Sequence, residues 1–96
     1  MIQSFGDRAT EDLFHGKNSA RARRIPASIV DAALLKLDLL NAAVSLNDLR
    51  SPPGNRLEAL RGDLAGFHSI RINAQWRIVF RWLGSNCSEV RIADYH

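Results

Sequence analysis

A single cysteine, Cys87, and only two lysines, Lys17 and Lys36, occur among the 96 residues. A lone thiol can neither close an internal disulfide nor give a structural zinc site its paired ligands, so a reducing cytoplasm is the expected compartment. No run approaches the ~20 apolar residues needed to cross a bilayer, and no membrane partner is expected. Residues 1–14 hold three acids and nothing like the hydrophobic region of a signal peptide. There is no Gly-x-x-x-x-Gly-Lys-Ser/Thr phosphate loop and no Gly-x-Gly-x-x-Gly turn, which argues against nucleotide-dependent chemistry. His15, His68, His96 and Cys87 show neither Cys-x-x-Cys nor His-Glu-x-x-His spacing, so no resident metal or cofactor is expected.

What is present is ordinary globular material, 46% hydrophobic and 24% charged. At this length there is room for one core, so residues 1–96 are read as a single domain of a few helices on one small sheet. The formal net charge is +3, and it is regional: Arg50, Arg56, Arg61, Arg71, Arg77 and Arg81 stand against only Glu58 and Asp63. Guanidinium is planar, permanently charged and suited to forked phosphate contacts. Arginine-rich codon usage accounts for the Arg:Lys ratio equally well, so the weight falls on where the fold puts these side chains.

The pattern divides at Ser51-Pro52-Pro53-Gly54-Asn55, a turn or stiff loop between a helical half and a strand-rich half. Residues 2–5 predict a short first strand. Asp7 is placed to cap a helix running to Phe14, with Gly16 as its stop. Pro26 suits the first turn of a second helix, whose stripe is Val30, Ala33, Leu34, Leu37, Leu40 and Val44. Asp31, Lys36, Asp38 and Asn41 fall mostly off that stripe, and the helix reads as scaffold without chemistry.

The second half alternates with period two. A strand over 67–73 puts Ile70 and Ile72 on one face and Ser69, Arg71 and Asn73 on the other; Trp76, Ile78, Phe80 and Trp82 then alternate with Arg77, Val79, Arg81 and Leu83. For both apolar sets to share a core, paired residue numbers must sum to an even value, which calls for a three- or five-residue connection. With three, Arg71 sits opposite Arg77, an unfavourable pairing unless an anion or water intervenes. That arrangement is either a phosphate seat or a solvated face with splayed guanidiniums. A last strand over 89–95 sends Val90 and Ile92 to the core and Arg91, Ala93 and Tyr95 to the basic side. Cys87 falls in the preceding hairpin loop and reads as incidental.

Residues 49–63 (LRSPPGNRLEALRGD), residues 66–80 (GFHSIRINAQWRIVF) and the closing Asp94-Tyr95-His96 together resemble the HigB-type toxins of bacterial toxin–antitoxin modules. The resemblance spans almost the whole chain. It implies an α+β, RelE/ParE-like fold, two N-terminal helices packed on one face of a small antiparallel sheet, and ribosome-dependent cleavage of mRNA without a metal. The implied partners are a HigA-like helix-turn-helix antitoxin, the ribosome with its mRNA, and operator DNA reached through the antitoxin. Two other readings stay open: a ParE-like toxin acting on a protein target, and a co-repressor binding module.

Metal-free RNA cleavage by the 2′-hydroxyl needs a base, an acid and charge that offsets the pentacoordinate phosphate. Arg61 and Arg77 are the electrostatic candidates. Asp94, Tyr95 and His96 are the tail candidates, His96 because imidazole exchanges a proton nearest neutrality and Tyr95 because a phenol ring stacks on bases. Some HigB-like toxins carry a histidine where this chain has Glu58 and a lysine where it has Arg61; Glu58 is therefore either a base or a brace for an arginine. Arg56, Arg71, Asn73 and Arg81 are the candidate RNA-binding residues.

Overall fold

The computed structural model describes residues 1–95, so His96 lies outside the described residues. Helix α1 (Arg8–Phe14) opens where expected, the Asp7 carboxylate accepting the Thr10 N–H at 2.8 Å, and Gly16 follows its end with φ 72°. A loop over 17–24 is fastened to α1 by Asp12, which accepts from the Ser19 hydroxyl at 2.7 Å and lies 3.3 Å from Arg21. The Ser19 hydrogen bond and the Arg21 charge hold the Asp12 carboxyl below the usual range against the opposing effect of burial.

Helix α2 (Val30–Ala42) is preceded by a helical turn at Ala27–Ile29 that begins after Pro26. Ala33, Leu37 and Leu40 are its buried side chains. Val44, assigned to the same stripe by spacing, lies beyond the helix end and is 71% exposed. The helix stops because the chain turns at Asp48, whose carboxylate accepts the backbone N–H groups of Val44 and Ser45 at 3.0 and 3.1 Å. The polar residues off the stripe are not idle: Asn41 accepts the Ile2 N–H at 2.9 Å, and Lys36 donates to Asn55.

The strands β1 (Glu58–Ala59), β2 (Phe67–Arg71), β3 (Trp76–Leu83) and β4 (Asn86–Asp94) form one antiparallel sheet in sequence order. Ile70 pairs with Ile78 and Arg71 with Arg77, and the Ile72 N–H reaches the Trp76 carbonyl at 2.8 Å. The β2–β3 connection is thus Asn73-Ala74-Gln75, the shorter of the two odd lengths that parity allows. Ile70, Ile78, Phe80, Val90 and Ile92 meet α2 and the loop leucine Leu49 in a single core. Both helices cover this face, which leaves the arginine face to other work.

Residues 2–5 lie parallel to β4 through two bridges, Ile2 with Cys87 and Phe5 with Val90. A Cβ on Gly6 would come 2.9 Å from the Glu89 carbonyl oxygen, so only glycine lets the chain leave the sheet there. The Ile92 N–H, farther along that edge, donates to the buried Thr10 hydroxyl of α1 at 2.9 Å.

Strand β4 departs from the sequence reading. It begins at Asn86 rather than 89, after the Gly84-Ser85 turn, and carries a bulge that sets Glu89 and Val90 together against Phe80. Glu89 adopts a left-handed φ of 53° at this point. The extra residue reverses the alternation upstream, so Cys87 is not a loop residue but pairs with Trp82 and is fully buried. Burial pushes its thiol pKa up to about 11.

Candidate active site

The face opposite the helices has a buried floor of Ser69, Val79 and Ala93. At the end nearest the β2–β3 turn, Arg77 is held on three sides. Its Nε donates to the Ser69 hydroxyl at 2.7 Å, and its Nη2 donates to the Arg56 carbonyl at 2.7 Å and lies 3.5 Å from Glu58 Oε2. The Tyr95 ring centroid is 5.9 Å from the guanidinium carbon, within cation–π range. Arg77 is only 12% exposed, whereas Glu58 on the short edge strand is 60% exposed. Among the described residues nothing bonds to the Nη1 edge.

Local sequence explains how this end is assembled. Ser69 lies diagonally across from Arg77, close enough for a long side chain to reach, and its small size leaves room for the arginine stem. Arg56 terminates the Pro53–Asn55 turn in a left-handed conformation, φ 46° and ψ 56°, and its carbonyl meets Arg77. Glu58 is the partner of Ser69 in the β1–β2 ladder. The carboxylate is therefore placed where it can brace Arg77, one of the two roles open to it.

The remaining candidates divide by position. Arg71, directly opposite Arg77, turns away from it and donates through Nε to the Asn73 carbonyl at 2.9 Å. Splaying resolves the repulsion between facing charges. Asn73 closes the turn, its side-chain oxygen accepting the N–H groups of Gln75 and Trp76, both at 2.8 Å. The tail is tied to the same turn: Gln75 donates its side-chain amide to Asp94 at 3.1 Å and accepts the Tyr95 N–H at 2.6 Å. Gln75 is a residue whose positioning role the period-two pattern did not reveal. Arg61 is exposed at the start of the Gly62–Leu64 turn.

Arg81 is not brought to this place. Four residues along β3, about 13 Å by strand rise, its Nε lies 2.8 Å from Glu89 and its guanidinium carbon 4.4 Å from the Phe67 ring centroid. The candidate site is thus one end of the basic face, built from Arg56, Glu58, Ser69, Arg71, Arg77 and the Asp94-Tyr95 tail. Among the described residues, no group of three or more His, Cys, Asp or Glu side chains gathers as metal ligands, and no helix is long and apolar enough to cross a membrane. A shallow cavity of about 280 Å³ lies on the helical side, lined by Leu13, Ala22 and Leu34 with Lys17 and Arg23. None of its lining comes from the sheet.

Comparison with known proteins agrees with this architecture. Residues 3–96 match the family described as the RelE-like toxin of type II toxin–antitoxin system HigB. The chain is 45% identical over 83 residues to Toxin HigB-1 of Vibrio cholerae, covering 86% of this chain and 85% of that protein. It is 31% identical to Endoribonuclease HigB of Proteus vulgaris over the full length of both. A solved YoeB–YefM complex from Staphylococcus aureus shares the fold, with a TM-score of 0.60 at 20% identity over 100% of this chain and 95% of that one.

Proposed function

The chain belongs to the HigB family of RelE-like toxins of type II toxin–antitoxin systems, and from that premise we propose that the Arg77 end of its sheet is the site at which it cleaves mRNA bound in the ribosomal A site. The Proteus vulgaris relative is named an endoribonuclease. The observation that carries the reading is the clamped Arg77 guanidinium, bonded through Nε and Nη2 to the protein, with its Nη1 edge left for a phosphate and Tyr95 beside it.

In this reaction the RNA supplies its own nucleophile. The 2′-oxygen bonds to the neighbouring phosphorus as the bond from phosphorus to the 5′-oxygen breaks, giving a 2′,3′-cyclic phosphate and a 5′-hydroxyl. One proton leaves the 2′-hydroxyl and another reaches the departing oxygen. Arg77 offsets the charge that builds on the phosphoryl oxygens, and Arg71, turned toward the β2–β3 connection, holds the RNA beside it. Proton-handling groups flank the site, Glu58 on one side and Asp94 and Tyr95 on the other, and the sequence adds His96 as a further candidate. Tyr95, 37% exposed, presents a ring on which a base stacks. Ribosomal positioning of the message supplies the alignment that so small a surface lacks.

A HigA-like helix-turn-helix antitoxin neutralises the chain and carries it to operator DNA, and the complex acts in the cytoplasm. A solved YoeB–YefM structure from Staphylococcus aureus is described as a heterotetrameric toxin–antitoxin complex. Purified protein added to translating ribosomes is expected to yield new mRNA ends on primer extension, and Tyr95→Phe or His96→Ala to reduce them. Intact transcripts alongside arrested growth would overturn the assignment; a supercoiling defect with whole messages would move it to a protein target.

A further inference from the structure

Two fully buried polar side chains stand behind Arg77, Ser69 in direct contact and Asn55 one residue before the Arg56 carbonyl that Arg77 meets. Ser69 accepts its Nε–H. Asn55, at the end of the Pro53–Asn55 turn, donates its amide to the carbonyls of Leu49 and Ser51 at 3.1 and 3.2 Å and accepts from Lys36 of α2. A buried amide with three partners is costly unless all are satisfied, and here it pins both sides of the loop. The next residue, Arg56, is left-handed, and its carbonyl is the second anchor of Arg77. The sequence Lys36, Asn55, Arg56 carbonyl, Arg77 is thus a continuous series of contacts from the helical layer to the candidate site.

We propose that Ser69 and Asn55, the latter braced by Lys36, are positioning residues that fix the plane of the Arg77 guanidinium and so the direction in which its Nη1 edge meets the scissile phosphate. Two bonds to different atoms of one planar group remove its rotation about the last side-chain torsions; one bond does not. A donor already oriented costs no reorganisation when phosphate charge develops, and that advantage is specific to the transition state. The role acts only through Arg77, so it rests on the site reading above.

The test measures single-turnover mRNA cleavage on programmed ribosomes, with ribosome affinity determined separately, for Ser69→Ala, Lys36→Met, Arg77→Lys, Arg77→Ala and the double variant Ser69→Ala/Arg77→Lys. Ser69→Ala is expected to slow cleavage at saturating ribosome by about tenfold to a hundredfold with affinity unchanged, and Lys36→Met to slow it in the same way but less. In the Arg77→Lys background Ser69→Ala should cost nothing further, because the group it orients is gone. Exchange of the Arg77 Nε–H, followed by NMR, should quicken in Ser69→Ala. Wild-type cleavage by Ser69→Ala and Lys36→Met while Arg77→Ala is inactive overturns the positioning role alone, as does a full additional loss in the double variant. Wild-type cleavage by Arg77→Ala overturns the site reading itself. Should Ser69→Ala fail to fold, Lys36→Met decides by the same rate and affinity split.

Discussion

Arg77 and Arg81 stand on one face of one strand, four residues apart, and the fold treats them oppositely. Arg77 is anchored by neutral acceptors, a hydroxyl and a carbonyl, with a carboxylate at a looser 3.5 Å. Arg81 lies 2.8 Å from a carboxylate and stacks over a phenyl ring. Neutral anchors fix a guanidinium without offsetting its charge, whereas a close carboxylate offsets part of it. A basic surface is therefore not a uniform ligand for phosphate, and what holds each arginine decides whether it still has charge to offer.

Arg77→Ala should give the largest effect in this comparison. Loss of a preoriented charge at developing phosphate oxygens is expected to lower single-turnover cleavage by about 10²–10³-fold, with the thermal midpoint checked by circular dichroism. A fall of less than about threefold would break the comparison from its stronger side, because removing a donor aimed at a transition state costs far more than that.

Much of this contrast was legible in the residues. Parity required a connection of three or five residues, because a one-residue slip would have turned Ile70 or Ile78 to solvent, and the three-residue choice is the one that sets Arg71 opposite Arg77. Asp7, Gly16 and the α2 stripe apart from Val44 also carried their positions, since caps and helical period are local signals. The bulge did not announce itself. Glu89 takes a left-handed φ with no glycine to mark it, and the register shift that results moved Cys87 into the core and gave Arg81 its carboxylate. The anchors of Arg77 were hidden for another reason: Ser69, Asn55 and Lys36 are residue types common at surfaces and turns, and only tertiary packing shows that two of them are buried.

Because the bulge creates the difference, Cys87 reports on it. The buried thiol is raised from 9.0 to about 11, so the unfolded chain loses its proton first. Its contribution is complete below the unfolded value and is lost as pH climbs through the interval between the two. Relative to Cys87→Ala, the wild type should lose about 2 kcal/mol of stability between pH 8 and pH 10.5 in urea titrations. Identical pH profiles for the two proteins would place the thiol in solvent and remove the bulge. Arg71→Ala comes next in size, about a tenfold loss of ribosome affinity at low salt, and the log–log salt slope should shrink by about 0.7–0.9 if one phosphate contact disappears. An unchanged slope would leave Arg71 as a fastener of the turn.

The smallest effect belongs to Arg81, and its smallness is the sharpest check. A half-exposed ion pair contributes about 0–1 kcal/mol, so Arg81→Ala should shift stability slightly and leave cleavage within about twofold of wild type, since a charge already matched by Glu89 has little left for RNA. Glu89→Gln then discriminates further. Removing the carboxylate releases Arg81 while leaving Arg77 and its anchors untouched, so ribosome affinity should rise modestly with the cleavage step unchanged. If Arg81→Ala instead slows cleavage as Arg77→Ala does, the carboxylate at 2.8 Å fails to silence its partner, and both ends of the strand must be counted as one phosphate-binding surface.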